Sequence, residues 1–124
     1  MDDLTEVGRS IHPDFYQDGD ISYCAFKPFP RDEGLLSVYD GDQASQAEMF
    51  AHYTQVLHNE AVGVASFTVA EARGCGDLDV RPDPQPGFPE HAVVDFTKLT
   101  SKREMKTAAK KILEYAEKRF WKPS

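Results

Sequence analysis

The last third of the chain constrains the fold most, because a strand-like segment there leads into a long amphipathic helix. Residues 91–96, HAVVDF, alternate the apolar side chains of Ala92, Val94 and Phe96 with a mixed set. Successive side chains of a strand point to opposite faces of its sheet. The segment therefore predicts a strand with one apolar and one mixed face.

A capping box marks the start of the helix that follows. Ser101 and Glu104 have the spacing at which each side chain binds a backbone amide of the first turn, so a helix is predicted to start near Lys102. Pro123 is expected to end it. Apolar side chains spaced three and four residues apart predict one buried stripe. The stripe comprises Met105, Ala108, Ala109, Ile112, Leu113, Ala116 and Phe120.

The rest of the chain predicts shorter elements. Apolar and β-branched runs predict four further strands, whereas residues 1–20 are expected to be irregular. Two more capping boxes, Ser45 with Glu48 and Thr68 with Glu71, predict two helices. The predicted strands cover residues 21–26, 35–39, 62–67 and 78–80, and the predicted helices cover residues 46–58 and 69–73.

This order of elements predicts an α+β fold in which residues 1–124 form one compact domain. We expect a mixed or antiparallel sheet of four to five strands. Two main helices, the C-terminal one long and amphipathic, are expected to pack on one face of that sheet. The short connection between residues 21–26 and 35–39 predicts that these strands pair antiparallel if they are neighbours.

Composition favours a soluble, cytoplasmic protein. No window approaches the roughly 18 apolar residues of a membrane span, and the acidic start MDDLTEVGRS lacks the apolar segment of a secretory signal. Cys24 and Cys75 have no metal-binding or redox spacing and are expected to be free thiols. We therefore expect no membrane association.

Charge is divided unevenly along the chain. Residues 98–124 hold nine Lys or Arg against three Glu, whereas residues 1–97 hold five against eighteen acidic residues. The acidic body disfavours nucleic acid, because phosphates would be attracted only along the last helix. The basic ridge of that helix consists of Lys102, Arg103, Lys106 and Lys110. This bipolar charge permits a homodimer in which the helix of one copy contacts the acidic body of another.

The sequence predicts neither a metal site nor a cofactor. His52 and His58 are six residues apart, which places them on different sides of a helix. Asp40 and Asp42 lack the other ligands of a calcium loop and are interpreted as turn residues. Neither GxGxxG nor GxxxxGK occurs, so no loop is predicted to hold phosphates.

His91 and Asp95 are the most promising pair for catalysis. Each lies two positions from Val93, on opposite sides of it, so both project from the same face of one strand, where a carboxylate could orient an imidazole. His12 and His52 could join them only through the fold. Ser37 and Ser66 lie in predicted strands, and no GxSxG elbow marks either as a nucleophile.

Two functions from different classes remain. The first is an acidic protein-binding module, of the immunity or antitoxin type, that neutralises a basic protein partner through electrostatic steering. Its candidate contact residues are the acidic loop side chains Asp18, Asp20, Asp32, Glu33, Asp40 and Asp42. The alternative is a small hydrolase or transferase that uses His91 and Asp95 with His12 or His52.

Overall fold

A computed structural model describes all 124 residues, Met1 to Ser124, and confirms the α+β class. The main sheet has six strands in the order β6-β7-β4-β1-β5-β8, and every neighbouring pair is antiparallel. Its strands are β1 (Glu6–Ile11), β4 (Leu35–Asp40), β5 (Gly63–Thr68), β6 (Asp79–Pro82), β7 (His91–Asp95) and β8 (Phe120–Trp121). A separate hairpin pairs β2 (Tyr16–Gln17) with β3 (Asp20–Ile21). The sheet is thus larger than the four to five strands predicted.

The helices lie on both faces of the main sheet, so the prediction that they share one face is wrong. The helices are α1 (Gln46–Ala51), α2 (Val69–Arg73) and α3 (Lys102–Ala116). Helices α2 and α3 pack against one face of the sheet, and the core between them includes Phe26, Phe67 and Ile112. Helix α1 covers the other face through Met49, which packs with Tyr39 and Val64. Because side chains alternate along each strand, both faces could be buried.

The C-terminal helix starts where the predicted capping box places it, but only half of the box forms, because the Glu104 carboxylate accepts from the backbone amide of Thr100 and not of Ser101. The helix also ends earlier than Pro123. Ser101 is the N-cap, and its hydroxyl accepts a hydrogen bond from the backbone amide of Glu104 at 3.1 Å. After Ala116 the chain continues as a 3-10 turn and then as the short edge strand β8, which pairs with β5. Phe120 therefore lies in the sheet and not on the helix.

The predicted helix over residues 46–58 is shorter and changes type. Its capping box forms, but α1 ends at Ala51 and a single π turn follows over His52–Val56. Met49 is its buried residue, whereas Val56 is 61% exposed. Chain direction then changes at His58, whose φ of 57° lies in the left-handed region. Single π turns of this kind, which add a residue to a helical turn, often occur at functional sites.

Two predictions for the N-terminal third are wrong. Residues 1–20 were expected to be irregular, but Glu6–Ile11 form β1, which lies between β4 and β5 in the sheet. Residues 21–26 were predicted to be a strand. Instead, the Ser22 hydroxyl caps a 3-10 turn over Tyr23–Phe26. Strand β4 therefore pairs with β1 and β7 and not with residues 21–26. The local cap therefore outweighed the apolar pattern of that segment.

The sheet splits between its two central strands. Strand β1 pairs with β4 only at Val7↔Asp40 and Gly8↔Tyr39, and it continues along β5 as far as Ile11. Beyond Gly8 the two strands separate and leave a gap beside β4.

None of the helices is both long and apolar enough to cross a membrane.

Candidate functional site

The gap beside β4 opens into a cavity of about 460 Å³. Four consecutive residues of β4, from Leu36 to Tyr39, line it, together with Arg9 and Ser10 of β1. Neighbouring side chains of one strand point to opposite faces, so the cavity must run along the open edge of β4. Its size lies within the range of small-molecule sites.

His91 lines this cavity, and its hydrogen bonds define which ring nitrogen carries the proton. Its Nδ1 atom lies 2.8 Å from the backbone carbonyl oxygen of Asp83 and 3.2 Å from the Asp83 carboxylate. A carbonyl oxygen can only accept a hydrogen bond, so Nδ1 must carry the proton. In the neutral ring Nε2 is then an acceptor, and it lies 3.1 Å from the hydroxyl of Ser37. The side chain is only 13% exposed.

The register of β4 and β7 brings Ser37 to His91. Tyr39 lies directly opposite His91, which places Ser37 two residues along β4 on the same sheet face. Diagonal neighbours on one face are within reach of long side chains. Ser37 itself is exposed and lines the cavity, so its hydroxyl is accessible to a small molecule.

Asp83 holds the other side of the imidazole. It follows β6 directly, and its backbone amide donates to the carbonyl of His91 at 2.9 Å. Ser37, His91 and Asp83 therefore form a chain of hydrogen bonds that resembles the nucleophile, base and orienting residue of serine hydrolases, which are recognised by geometry and not by sequence order. Sequence reasoning missed Asp83, because the pairing of β6 with β7 gave no local signal.

A tight turn positions the ring of Phe88, which together with the ring of Tyr39 forms an aromatic wall of the cavity. Gln85 and Phe88 exchange backbone hydrogen bonds across Pro86 and Gly87, and the φ of Gly87 is 72°. Proline followed by a glycine with positive φ is the composition of a type II turn. Phe88 consequently lies over the cavity, with its ring centroid 5.0 Å from the ring centroid of His91.

Two of the four candidate catalytic residues line the cavity, and a third lies behind its wall. His12 lines the same cavity as His91. His52 lies behind the aromatic wall, where its Nδ1 is 2.7 Å from the hydroxyl of Tyr39 and its ring is 4.4 Å from that of Phe88. Burial raises the pKa of Tyr39, so its hydroxyl stays protonated.

Asp95 does not join His91. Its carboxylate accepts hydrogen bonds from the amide and hydroxyl of Thr97 and pairs with Arg81 at 2.6 Å. These contacts, the Thr97 hydroxyl foremost, lower the pKa of Asp95 to about 2. Asp95 thus stabilises the end of β7, and the acidic partner of His91 is Asp83.

Three of the acidic side chains proposed to contact a partner have partners within the chain. The Asp40 carboxylate accepts from the amide of Asp42 at 2.9 Å, as expected of a turn residue, and Asp42 accepts from the Thr5 hydroxyl at 2.7 Å. Asp32 accepts from the amide of Phe29. Asp18, Asp20 and Glu33 are exposed.

The basic ridge of α3 lies on the surface. Lys102, Arg103, Lys106 and Lys110 are all exposed. The ammonium groups of Lys106 and Lys110 lie 5.5 and 5.4 Å from the ring centroid of Tyr23, which is the range of cation–π contacts. The apolar stripe of the same helix is buried within the chain.

Comparison with known proteins adds no functional assignment. No protein-family model matches the chain, and neither the search of curated proteins nor that of solved structures found a significant match. Function therefore has to be inferred from the geometry of the cavity.

Proposed function

We propose that the protein is a small hydrolase in which Ser37 is the nucleophile, His91 the general base and Asp83 the residue that orients the imidazole. The observation that carries this proposal is the hydrogen-bonded chain Ser37–His91–Asp83 with its hydroxyl end open to the cavity. A nucleophile and a base within hydrogen-bond reach, with the base held by a third group, are the signature of covalent catalysis.

The geometry supports acyl transfer from an ester to water. Ser37 Oγ attacks the carbonyl carbon while His91 Nε2 takes the hydroxyl proton. The proton then passes to the departing alcohol as the ester bond breaks and leaves an acyl group on Ser37. A water molecule that gives its proton to His91 attacks this acyl group, and Ser37 recovers its proton when the acid leaves.

Rigid elements support this arrangement. Ser37 and His91 lie on adjacent strands paired over five positions, and Asp83 is tied to His91 by a backbone hydrogen bond as well as by the ring contact. Sites built on strands hold reacting groups more closely than sites built on mobile loops. The aromatic wall shields one side of the imidazole from water.

Ester turnover tests the proposal. A panel of p-nitrophenyl esters with acyl chains of increasing length is assayed with the wild type, Ser37→Ala and Ser66→Ala. Ser66 is the control, because it lies on β5, two strands away from β4, does not line the cavity and accepts a hydrogen bond from Gln46. We expect turnover that Ser37→Ala abolishes and Ser66→Ala retains. Equal rates for the two variants would contradict the proposal.

A second candidate function is a protein-binding module of the immunity or antitoxin type that neutralises a basic partner. Exposure of Asp18, Asp20 and Glu33 supports it, since three acidic side chains remain free for steering. Affinity capture with the wild type and with Asp18→Lys/Asp20→Lys tests it. A stoichiometric basic protein retained only by the wild type is expected, and equal capture by both would contradict it. Asp77→Lys, a charge reversal on another exposed loop, is the control.

A further inference from the structure

Two arginines line the cavity without an acidic partner. Of the six arginines in the chain, Arg73, Arg81 and Arg119 pair with carboxylates. Arg9 and Arg31 line the cavity and form no ion pair. The chain has 21 acidic residues against 14 basic ones, so acidic partners are in excess. Two acidic side chains also line the cavity, but neither forms an ion pair with these two guanidinium groups.

Neutral groups hold Arg9 in place. Its Nε donates to the carbonyl oxygen of Ala25 and its Nη1 to that of Ser37, both at 2.9 Å. Its Nη2 donates to no protein group. Burial lowers the pKa of Arg9, and the negative charge of Asp32 acts in the opposite direction. Carbonyl groups orient a guanidinium without neutralising it, so an anionic ligand would pair with a half-buried cation that no carboxylate of the chain contacts.

The acidic side chains of the cavity are directed to other groups. Asp32 accepts from the amide of Phe29 at 2.8 Å, and Asp14 lies 3.5 Å from Nδ1 of His12. Arg31 stacks instead on Phe29, with its guanidinium carbon 5.3 Å from the ring centroid. This contact leaves its N–H groups free at the exposed side of the cavity.

Ser10 contributes a hydroxyl without a partner. It lines the cavity, is only 7% exposed, and its Oγ forms no hydrogen bond. Buried hydroxyls are nearly always paired, and an unpaired one calls for an explanation. The Ser10 hydroxyl is therefore a polar group at the cavity wall that no group of the protein satisfies.

We infer that the substrate bears a compact oxyanion, a carboxylate or a phosphate, that Arg9 binds, with Arg31 at the exposed side. The inference rests on the proposed hydrolase only in calling this ligand a substrate. Arg9 binds the backbone of Ser37, so the anionic group lies near the nucleophile. The aromatic wall of Tyr39 and Phe88 suits a planar or apolar group beside the anion.

Binding to the Ser37→Ala variant tests the inference without turnover. Benzoate and phenyl phosphate are titrated by calorimetry, with benzamide as the neutral counterpart. We expect at least one anion to bind about tenfold more tightly than benzamide, since charge-assisted hydrogen bonds contribute roughly that much. Comparison of the two anions tells carboxylate from phosphate. Anions that bind no more tightly than benzamide would overturn the inference.

Arginine variants locate the preference. Arg31→Gln and Arg9→Gln in the Ser37→Ala background should each lose most of the preference for the anion. Arg9→Lys keeps the charge and serves as a second variant if Arg9→Gln does not fold. Arg103→Gln removes an exposed arginine outside the cavity and should bind as the parent does. A preference that survives both the Arg9 and Arg31 changes would place the anion elsewhere and overturn the inference.

The two proposals fail in different ways. If no ester is turned over but anion binding depends on Arg9, the hydrolase proposal is wrong and the anion site stands. If neutral esters are turned over through Ser37 and binding is insensitive to charge, the hydrolase stands and the anion site is wrong.

Discussion

The Nε2 atom of His91 lies 3.1 Å from the hydroxyl oxygen of Ser37, on an adjacent antiparallel strand and 54 positions away in sequence. The backbone carbonyl of Asp83 fixes the proton of the same imidazole on Nδ1, so Nε2 faces Ser37 as an acceptor. The contact opens into a cavity and not into the core. This relationship is the basis of the functional proposal.

Replacement of the Asp83 carboxylate should weaken catalysis without abolishing it. In Asp83→Ala the backbone carbonyl still holds Nδ1, whereas the loss of the carboxylate leaves the imidazolium less stabilised. We expect kcat to fall about tenfold, far less than the roughly 10⁴-fold cost of losing the aspartate of a serine protease triad. Steady-state ester hydrolysis measures this effect. Asp77→Ala, on an exposed loop, should leave kcat unchanged, and a loss of more than a thousandfold in Asp83→Ala would show that the carbonyl does not hold the tautomer.

Local signals made parts of the fold predictable. The capping boxes at Ser45, Thr68 and Ser101 all mark helix starts, because each depends on residues three positions apart. Strand β1 was missed, since EVGRSI contains only two apolar residues that reach the core, Val7 and Ile11. A Cβ atom at its Gly8 would meet the side chains of Met49 and Val64, a tertiary contact that the local pattern does not show.

The candidate site was predictable only in part. His91 was identified from its position on a mixed strand face, but its partners were not. Asp83 reaches it through the pairing of β6 with β7, and Ser37 through the register of β4 with β7. The register between strands that are distant in sequence depends on the whole sheet. Ser37 and Ser66, which looked equivalent in sequence, therefore have different surroundings.

Asp95 should make stability depend on acid pH. Its folded pKa of about 2 lies below the value of about 3.9 in an unfolded chain. The stabilisation is therefore fully present above about pH 4 and is lost as pH falls toward 2. Asp95→Asn should cost about 1 kcal/mol at pH 7, allowing for solvent screening of the Arg81 pair. Urea unfolding at several pH values measures the difference between the two proteins. A difference that does not shrink below pH 4 would contradict the assignment.

Replacement of Gly63, which lies on the strand next to the edge strand β8, should destabilise the sheet. A Cβ atom there would clash with the backbone carbonyl oxygen of Trp121, which cannot move without breaking the pairing of β5 with β8. Gly63→Ala should reduce the free energy of unfolding by about 1–3 kcal/mol, the usual cost of overpacking. Gly74→Ala is the control, because its Cβ would lie at an ordinary 3.5 Å from the Ala70 carbonyl oxygen. Chemical denaturation compares the two, and equal stabilities would show that β8 is not held as described.

Covalent labelling of Ser37 tests the central claim most directly. A fluorophosphonate transfers its phosphorus group to a serine oxygen only when a base removes the hydroxyl proton and fluoride leaves. Labelling followed by peptide mass spectrometry should find the adduct on Ser37 in the wild type and in His58→Asn, whose exposed histidine lies outside the cavity. In His91→Asn the labelling rate should fall at least about a hundredfold, the lower end of what general base catalysis supplies. No adduct on Ser37, or an equal rate in His91→Asn, would contradict the proposed catalytic roles of Ser37 and His91.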